Sequence, residues 1–382
     1  MKRTLLLSIA ASIASLASAD YNGAGYYRVH NYKSERYASV VDNRGRIDYM
    51  NTTADLQAIK LQKDFDAVCC DPASVLYISG KGGTQYQIEA EGTGIYQIIS
   101  HYLNLKETGT AKGQKLYNAY GEMNGVIKYI GDANFILTKD LGTMATHAKG
   151  DYIKWFLTPV SSSTDNYFGI KPTVEIDGKY YATLYAHFPF TPVSKGMKVY
   201  YVKNRANGGD TGLVLLEEVK GTVPAGTPVL IECSTDNPST NRVEVGGNGT
   251  AVAGNMLKGV YFNCSLFNHV NRKAYDKKSM RVLGRLADGS LGFVTPDDLD
   301  YIPANSCYLI VQGWEPEEFK IASPAEFEAG VGELPATGSS DADSVDVYNL
   351  QGMKVLSNAS KSEIANLPKG IYIANGKKFT VR

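Results

Sequence analysis

The sequence predicts an all-β protein, and three observations carry that class. Apolar and polar residues alternate in short runs, as in Tyr26-Tyr-Arg-Val-His30, Tyr86-Gln-Ile-Glu89, Tyr96-Gln-Ile-Ile99 and Lys198-Val-Tyr-Tyr-Val202. That period of two turns every second side chain toward one face of a sheet. Clusters of Gly, Asn and Asp separate the runs, and the 38 glycines supply the turns between them. The 26 tyrosines suit a half-buried pleated surface, with the ring packed and the hydroxyl left to water. One segment departs from this pattern: Asp55-Leu-Gln-Ala-Ile-Lys-Leu61 has the spacing of a short helix.

Residues 1–19 read as an export signal. Lys2 and Arg3 form a basic start, Leu5 to Leu16 is a short apolar run, and Ala17-Ser18-Ala19 is a small-x-small cleavage pattern, so the mature chain is expected to begin at Asp20. The apolar run falls short of the roughly 20 residues that span a bilayer. No other segment is apolar enough to cross one, so no transmembrane segment is expected in the mature chain. Lysine plus arginine equals aspartate plus glutamate, 39 each. A balanced chain has no general field to draw in nucleic acid, and none is expected as a partner.

The mature chain divides into parts by composition. Residues 20–160 form the first, closing at Tyr152-Ile-Lys-Trp-Phe-Leu-Thr-Pro-Val160 and followed by the Ser/Thr-rich joint Ser161-Ser-Ser-Thr-Asp165. Residues 161–324 form the second and carry an internal echo. Val223-Pro-Ala-Gly-Thr-Pro-Val-Leu-Ile231 matches Ile302-Pro-Ala-Asn-Ser-Cys-Tyr-Leu-Ile310 at an offset of 79 residues. In each, a turn built on Pro and Gly or Asn feeds a strand-length apolar run. Two such corners belong to one β-sandwich or to two similar halves. From Trp314 to Asp346 nine acidic residues face one basic residue, Lys320, and the stretch reads as a solvated tether, with the linker assigned to 325–343. Residues 344–382 are a small β tail.

Reactive constellations are absent from the sequence pattern. There is no GxSxG elbow, P-loop or dinucleotide fingerprint, and no cofactor is expected. His30, His101, His147, His187 and His269 lack metal-ligand spacing, and Cys69, Cys70, Cys233, Cys264 and Cys307 lack the CxxC spacing of a zinc site. The five-residue gap from Cys264 to His269 carries no weight as a nucleophile and base, because such pairs are set by the fold. Asp297-Asp298-Leu-Asp300 lacks the spaced ligands and turn glycine of a calcium loop and reads as solvated. Leu334-Pro-Ala-Thr-Gly338 matches a sortase pentapeptide, yet no apolar span and basic tail follow it, which makes it a coincidence within a linker.

Aromatic crowding supplies the positive hypothesis. Tyr26, Tyr27, Tyr32, Tyr37, Tyr49, Tyr96, Tyr102, Tyr117 and Tyr120 all fall in the first part. Exposed rings with polar rims suit the C–H faces of sugars or a protein surface. Tyr27, Tyr37, Tyr102 and Trp155 are the candidate ligand-binding residues, and no catalytic or metal-binding residue is assigned.

Three resemblances add to this reading. The tail, with Val345-Asp-Val-Tyr-Asn-Leu-Gln-Gly352 and Leu367-Pro-Lys-Gly-Ile-Tyr-Ile-Ala-Asn-Gly376, resembles the C-terminal sorting domain read by the type IX secretion system of Bacteroidetes. That resemblance covers about 40 residues and implies a small β domain that hands the chain to the secretion machinery. The middle part looks like modules repeated in Bacteroidetes surface proteins, through Tyr181-Ala-Thr-Leu184, Gly196-Met-Lys-Val-Tyr-Tyr-Val202 and the Val223–Ile231 corner. The first part is similar to ricin-type β-trefoils, through Tyr26–His30, Arg36-Tyr-Ala-Ser-Val40 and the Trp155 segment. The expected architecture is an N-terminal β-trefoil-like domain, a β-sandwich-like middle domain and a C-terminal sorting-like domain. The expected role is an exported, non-catalytic binding protein for a glycan or an extracellular protein, at the cell surface or beyond it, with the periplasm as the alternative location. A secreted hydrolase whose carboxylates meet only in the fold, and a structural component of a surface assembly, are the rival readings.

Overall fold

A computed structural model describes residues 20–40, 59–62, 64–82, 85–89, 104–123, 126–130, 150–206, 210–261, 273–313, 315–330, 345–349, 354–359, 363–364, 366–368, 370–374 and 377–381. The export signal expected at residues 1–19, Tyr102, His101, His147, Cys264, His269 and the Leu334–Gly338 motif lie outside the described residues. Among those described, strands dominate and α-helix is confined to short pieces, so the chain is a β protein. No helix there is long and apolar enough to cross a membrane.

Nine antiparallel strands build the first part: β1 (Gly25–Asn31), β2 (Tyr37–Val40), β3 (Ile59–Gln62), β4 (Leu76–Gly82), β5 (Gln85–Glu89), β6 (Asn104–Ala111), β7 (Gln114–Met123), β8 (Val126–Ile130) and β9 (Lys154–Pro159). Six of them pair in a cycle. From β1 the pairing runs through β4, β5, β6, β7 and β9 and returns to β1. The β6–β7 turn is Lys112-Gly113, both left-handed at φ 52° and 76°, the two-residue hairpin loop whose twist matches its strands. The segment expected to be a short helix ends instead in β3, where Ile59–Gln62 pairs with β2 from Val40↔Ile59 to Tyr37↔Gln62. Residues 55–58 are outside the described set. A strand partner outweighs a weak local preference for helix.

The second part holds β10 (Phe168–Gly169), β11 (Val174–Ile176), β12 (Lys179–Leu184), β13 (Phe190–Pro192), β14 (Lys198–Ala206), β15 (Thr211–Glu218), β16 (Val229–Cys233), β17 (Arg242–Val245), β18 (Leu257–Val260), β19 (Met280–Arg285), β20 (Leu291–Val294), β21 (Ser306–Ile310) and β22 (Glu318–Ala322). Three of these, ordered β10-β17-β13, form a small sheet; the other ten form a sheet ordered β11-β12-β16-β14-β15-β22-β20-β19-β21-β18. The large sheet is a duplication. β12-β16-β14-β15 on one side of β22 repeats as β18-β21-β19-β20 on the other, with equivalent pairings in both copies. The 79-residue echo marks the same point in each copy, the corner that enters β16 and β21. Gly226 and Asn305 occupy matching left-handed positions, at φ 69° and 55°, while Val223 and Ile302 are buried.

β16 shows how the core is divided. Val229, Ile231 and Cys233 enter one apolar cluster with Phe168, Phe188, Phe190, Val243 and Val245, whereas Leu230 enters the cluster of Val202, Val214, Phe293, Leu309 and Phe319. A strand covered on both faces has no polar side, which is why Val-Leu-Ile runs without alternation. Gly212 sits opposite Phe319, and a methyl group there would lie 2.4 Å from that ring. The missing side chain makes room for the aromatic.

The joint at 161–165 is pinned rather than loose. Arg242 donates to the carbonyls of Ser162 and Thr164 at 2.9 and 3.0 Å, and Glu244 accepts from the Ser162 amide at 2.8 Å. Tyr26, Val75 and Val160 of the first part belong to the same cluster as Phe168 and Phe188 of the second. The most demanding junction is Arg28 on β1, which is fully buried. Its guanidinium donates to Ser74 Oγ (3.0 Å), Asn166 Oδ1 (2.8 Å) and the carbonyls of Tyr167 (2.8 Å) and Val68 (3.0 Å). Burial pulls its pKa down to about 10, so it stays protonated at neutral pH. A second crossing is buried His187, whose Nε2 lies 2.7 Å from the Val75 carbonyl oxygen.

The acidic stretch is not tether throughout. Its start contains β22 and helix α2 (Pro324–Gly330); the shorter helix α1 spans Phe65–Val68. Ser323 and Glu326 close a reciprocal capping box, with Ser323 N to Glu326 Oε2 at 2.9 Å and Glu326 N to Ser323 Oγ at 3.2 Å. Phe327 then buries against Ala206 and Ala322, so the helix belongs to the packed body. The tail forms a separate four-stranded sheet, β24 (Lys354–Ala359), β23 (Val345–Asn349), β25 (Gly370–Ala374) and β26 (Lys377–Val381), over a core of Val347, Ala359, Ile364, Tyr372, Ala374 and Phe379.

Replacing Arg28 by Met leaves several carbonyl and side-chain oxygens without a donor in a dry site. Arg28→Met is expected to lower unfolding stability by about 3 kcal/mol or more in urea titration. His187 carries a pH dependence of definite sign. Burial depresses its pKa to about 3, so its contribution is complete above the unfolded value near 6.5 and is lost as pH falls from there toward 3. In His187→Gln, Tm measured from pH 7 to 4.5 is expected to decline less steeply than in the parent.

Candidate functional site

The β1–β2 turn organises a row of aromatic rings. Asn31, fully buried, anchors it: its Oδ1 accepts from the amides of Lys33 and Ser34 at 3.0 Å each, and its Nδ2 donates to the Tyr152 carbonyl at 2.8 Å. The Tyr32 amide donates to the Lys154 carbonyl at 2.9 Å, and the Asn31 amide to Arg36 at 2.8 Å. Side-chain capture of turn amides is the ordinary use of Asn at such a bend. The turn then delivers His30 and Tyr37 as a cross-strand pair, and their rings stack with centroids 4.4 Å apart and planes 16° from parallel.

From that pair the row extends both ways. On one side Phe156 of β9 lies 6.2 Å from His30 and 5.7 Å from Tyr32. On the other, Phe65, the first residue of α1, lies 6.1 Å from Tyr37 and 5.5 Å from Tyr167. Phe156 and Tyr167 are buried and form the base, while Tyr32, His30, Tyr37 and Phe65 are half-buried. Glu35 and Lys112, paired at 3.1 Å and exposed, stand near the turn as a polar rim. Arg28 supports the row from beneath, its guanidinium carbon 5.3 Å from the Phe65 ring centroid.

Burial sets the ionisation of the stacked pair. It lowers the His30 pKa, which the Glu35 backbone only partly offsets, so the imidazole is neutral at neutral pH. Burial also raises the Tyr37 phenol, which therefore keeps its proton. The stacked pair is thus uncharged and apolar on its faces, with a hydroxyl and ring nitrogens at its edges. Those properties suit contact with C–H surfaces and hydroxyls.

Of the residues predicted for binding, the structure places Tyr37 in the row. Tyr27 and Trp155 are each 1% exposed. The Tyr27 hydroxyl is taken up by Asn22 Oδ1 and the Gly23 carbonyl, both at 2.6 Å, and Trp155 sits between Asn31 and Tyr117 on neighbouring strands. Both are core residues with no ring face open to a ligand. Tyr102 is outside the described residues. His30, Phe65 and Phe156 join the row without having been selected. His30 was visible in the alternating Tyr26–His30 run, whereas Phe65 and Phe156 reach Tyr37 and His30 only through the fold.

Among the described residues Cys69, Cys70, Cys233 and Cys307 are free thiols, and no three potential ligands converge as a metal site. Cys69 and Cys70 point their sulfurs at one oxygen, the Asp66 carbonyl, at 3.4 and 3.8 Å. Hydrogen bonding from Cys70 lowers the Cys69 thiol to about 7, while the same contact and burial push Cys70 up. Cys307 is buried and correspondingly raised.

Tyr37→Ala would open one face of the His30 ring to water. The His30 pKa, followed through its ring-proton NMR shifts, is expected to rise toward 6.5 in that variant. No protein-family model matches the chain, and comparison with curated proteins returns no significant match.

Proposed function

We propose that this is an exported, non-catalytic binding protein that takes a glycan on the aromatic row of its N-terminal part. The observation that carries the reading is the uncharged, half-buried His30–Tyr37 stack, with half-buried Phe65 beside Tyr37 and half-buried Tyr32 joined to His30 through Phe156. Sugar rings present C–H faces to such a surface and hydroxyls to its polar edges. An extracellular protein with an apolar side chain at its contact is the other ligand class the row suits.

The same proposal includes the architecture. A β-trefoil-like first domain is supported by the pairing cycle, which resolves into three two-strand units: β1 with β4, β5 with β6, and β7 with β9. A β-sandwich-like middle domain is supported by the shared apolar cluster between the small sheet and the large one. The tail sheet, whose strands β23 and β25 lie in the two segments that resemble a type IX sorting domain, would engage the secretion machinery.

A glycan array probed with the purified chain tests the binding reading. Saturable binding to at least one glycan class is expected, and His30→Ala and Tyr37→Ala are each expected to weaken it by about tenfold, or about 1.4 kcal/mol, with the circular dichroism spectrum unchanged. Binding that persists unchanged in both variants would move the site elsewhere, and an empty array together with empty pull-downs would sink the proposal.

A further inference from the structure

We infer that the adjacent thiols Cys69 and Cys70 form an exchange site that reduces low-molecular-weight disulfides and closes into a reversible bridge between neighbouring residues. The inference is independent of the aromatic row. It rests first on where the chain puts the two sulfurs. Cys69 caps the C-terminus of α1 in helical geometry, and its amide donates to the Phe65 carbonyl at 2.7 Å. Neighbours on a strand point to opposite faces, whereas this helical turn brings both side chains back to one side. Cys69 Sγ and Cys70 Sγ share a single acceptor, the Asp66 carbonyl oxygen, at 3.4 and 3.8 Å. The peptide between them is pinned, because the Cys69 carbonyl accepts from the Gly169 amide at 2.9 Å and from Arg28 Nη2 at 3.4 Å.

The two sulfurs differ in access and in charge. Cys69 is 3% exposed, and its negative form is held by hydrogen bonds from Cys70 and Tyr167 and by the charge of Arg28, against the opposing charge of Asp66. Cys70 is half-buried, keeps its proton, and has Lys171 and Asp71 as its charged neighbours. The accessible sulfur therefore meets the disulfide, and the enclosed one takes the proton.

The exchange balances in two steps. Cys70 Sγ attacks one sulfur of an external disulfide RSSR while the Cys69 thiolate takes the Cys70 proton. A mixed disulfide forms on Cys70, the RS–SR bond breaks and one RS⁻ leaves. That RS⁻ takes the proton from Cys69 and departs as RSH. Cys69 Sγ then attacks Cys70 Sγ, breaks the mixed disulfide and expels the second RS⁻. The protein sulfurs give up two electrons between them, and the external disulfide takes both. Neighbouring Cα atoms lie about 3.8 Å apart, below the roughly 4.4 Å at which ordinary bridges begin. The closed ring is accordingly strained and readily reopened by a thiol, which makes the pair an exchange site rather than a structural staple.

The test treats the folded full chain with dithiobis(nitrobenzoate), a disulfide whose released thiolate is coloured, and follows the tryptic peptide 64–81 by mass. That peptide holds both thiols and no other cysteine. Release of about two thiolates per modified site is expected, leaving the peptide two hydrogens lighter and free of adduct. Dithiothreitol is expected to restore the original mass. Cys69→Ser is expected to stop after one release, with the adduct retained on Cys70. Cys69→Ala replaces it if circular dichroism shows a folding defect. In Cys70→Ser the remaining sulfur is enclosed, and modification of the peptide is expected to slow at least about tenfold. A stable adduct on the parent peptide, no modification of it in the folded chain, or a bridge from either thiol to a distant cysteine would each overturn the inference.

Discussion

Burial of the Arg28 guanidinium is the constraint on which the arrangement of the first part depends. A charged group that is fully enclosed must find an acceptor for its donors, and this one draws them from Val68, Ser74, Asn166 and Tyr167. Those residues come from the α1 segment, the turn before β4 and the joint into the second part. Asn166 passes the constraint onward, donating to the carbonyls of Thr158 and Pro159 on β9. One side chain therefore sets where β1, α1, β9 and the joint stand relative to each other. Phe65 and Tyr167, at one end of the aromatic row, are held by the same contacts.

This explains why the joint after Val160 is not a flexible hinge despite its Ser/Thr composition. The backbone oxygens of that segment are acceptors for Arg242, its amides meet Glu244, and its neighbours share a core with β12 and β16. Polar composition describes how a segment meets water. It does not show whether a neighbouring arginine has claimed its carbonyls.

The duplication in the second part follows a similar logic at a larger scale. Two copies of one hairpin-and-corner unit join through β22, which runs parallel to β15 and antiparallel to β20. A strand inserted between two similar edges satisfies both, leaving no open ladder in the middle of the sheet. The copies then diverge at their corners, where Gly249 packs on Thr222 and Pro224 in the first and Lys273–Tyr275 pairs with Asp300–Ile302 in the second.

The sequence by itself determined the β class, the turn positions and the echo, because these depend on local alternation and on residues such as Gly226 and Asn305 that tolerate a left-handed backbone. The Ser-x-x-Glu box at 323–326 was equally local, and its helix was masked only by the acidity around it. Which tyrosines face outward was not local. Tyr27 and Tyr37 both lie in alternating runs, yet a strand buried on both sides hides every other rule of exposure, and Tyr27 and Trp155 went to the core. Ile59–Gln62 became a strand because β2 offered a partner, which no short window contains. The row and the Arg28 clamp were decided by tertiary structure alone, since each joins residues tens to more than a hundred positions apart. Pairing, burial and cover are properties of neighbours in space, and the chain order does not state who those neighbours are.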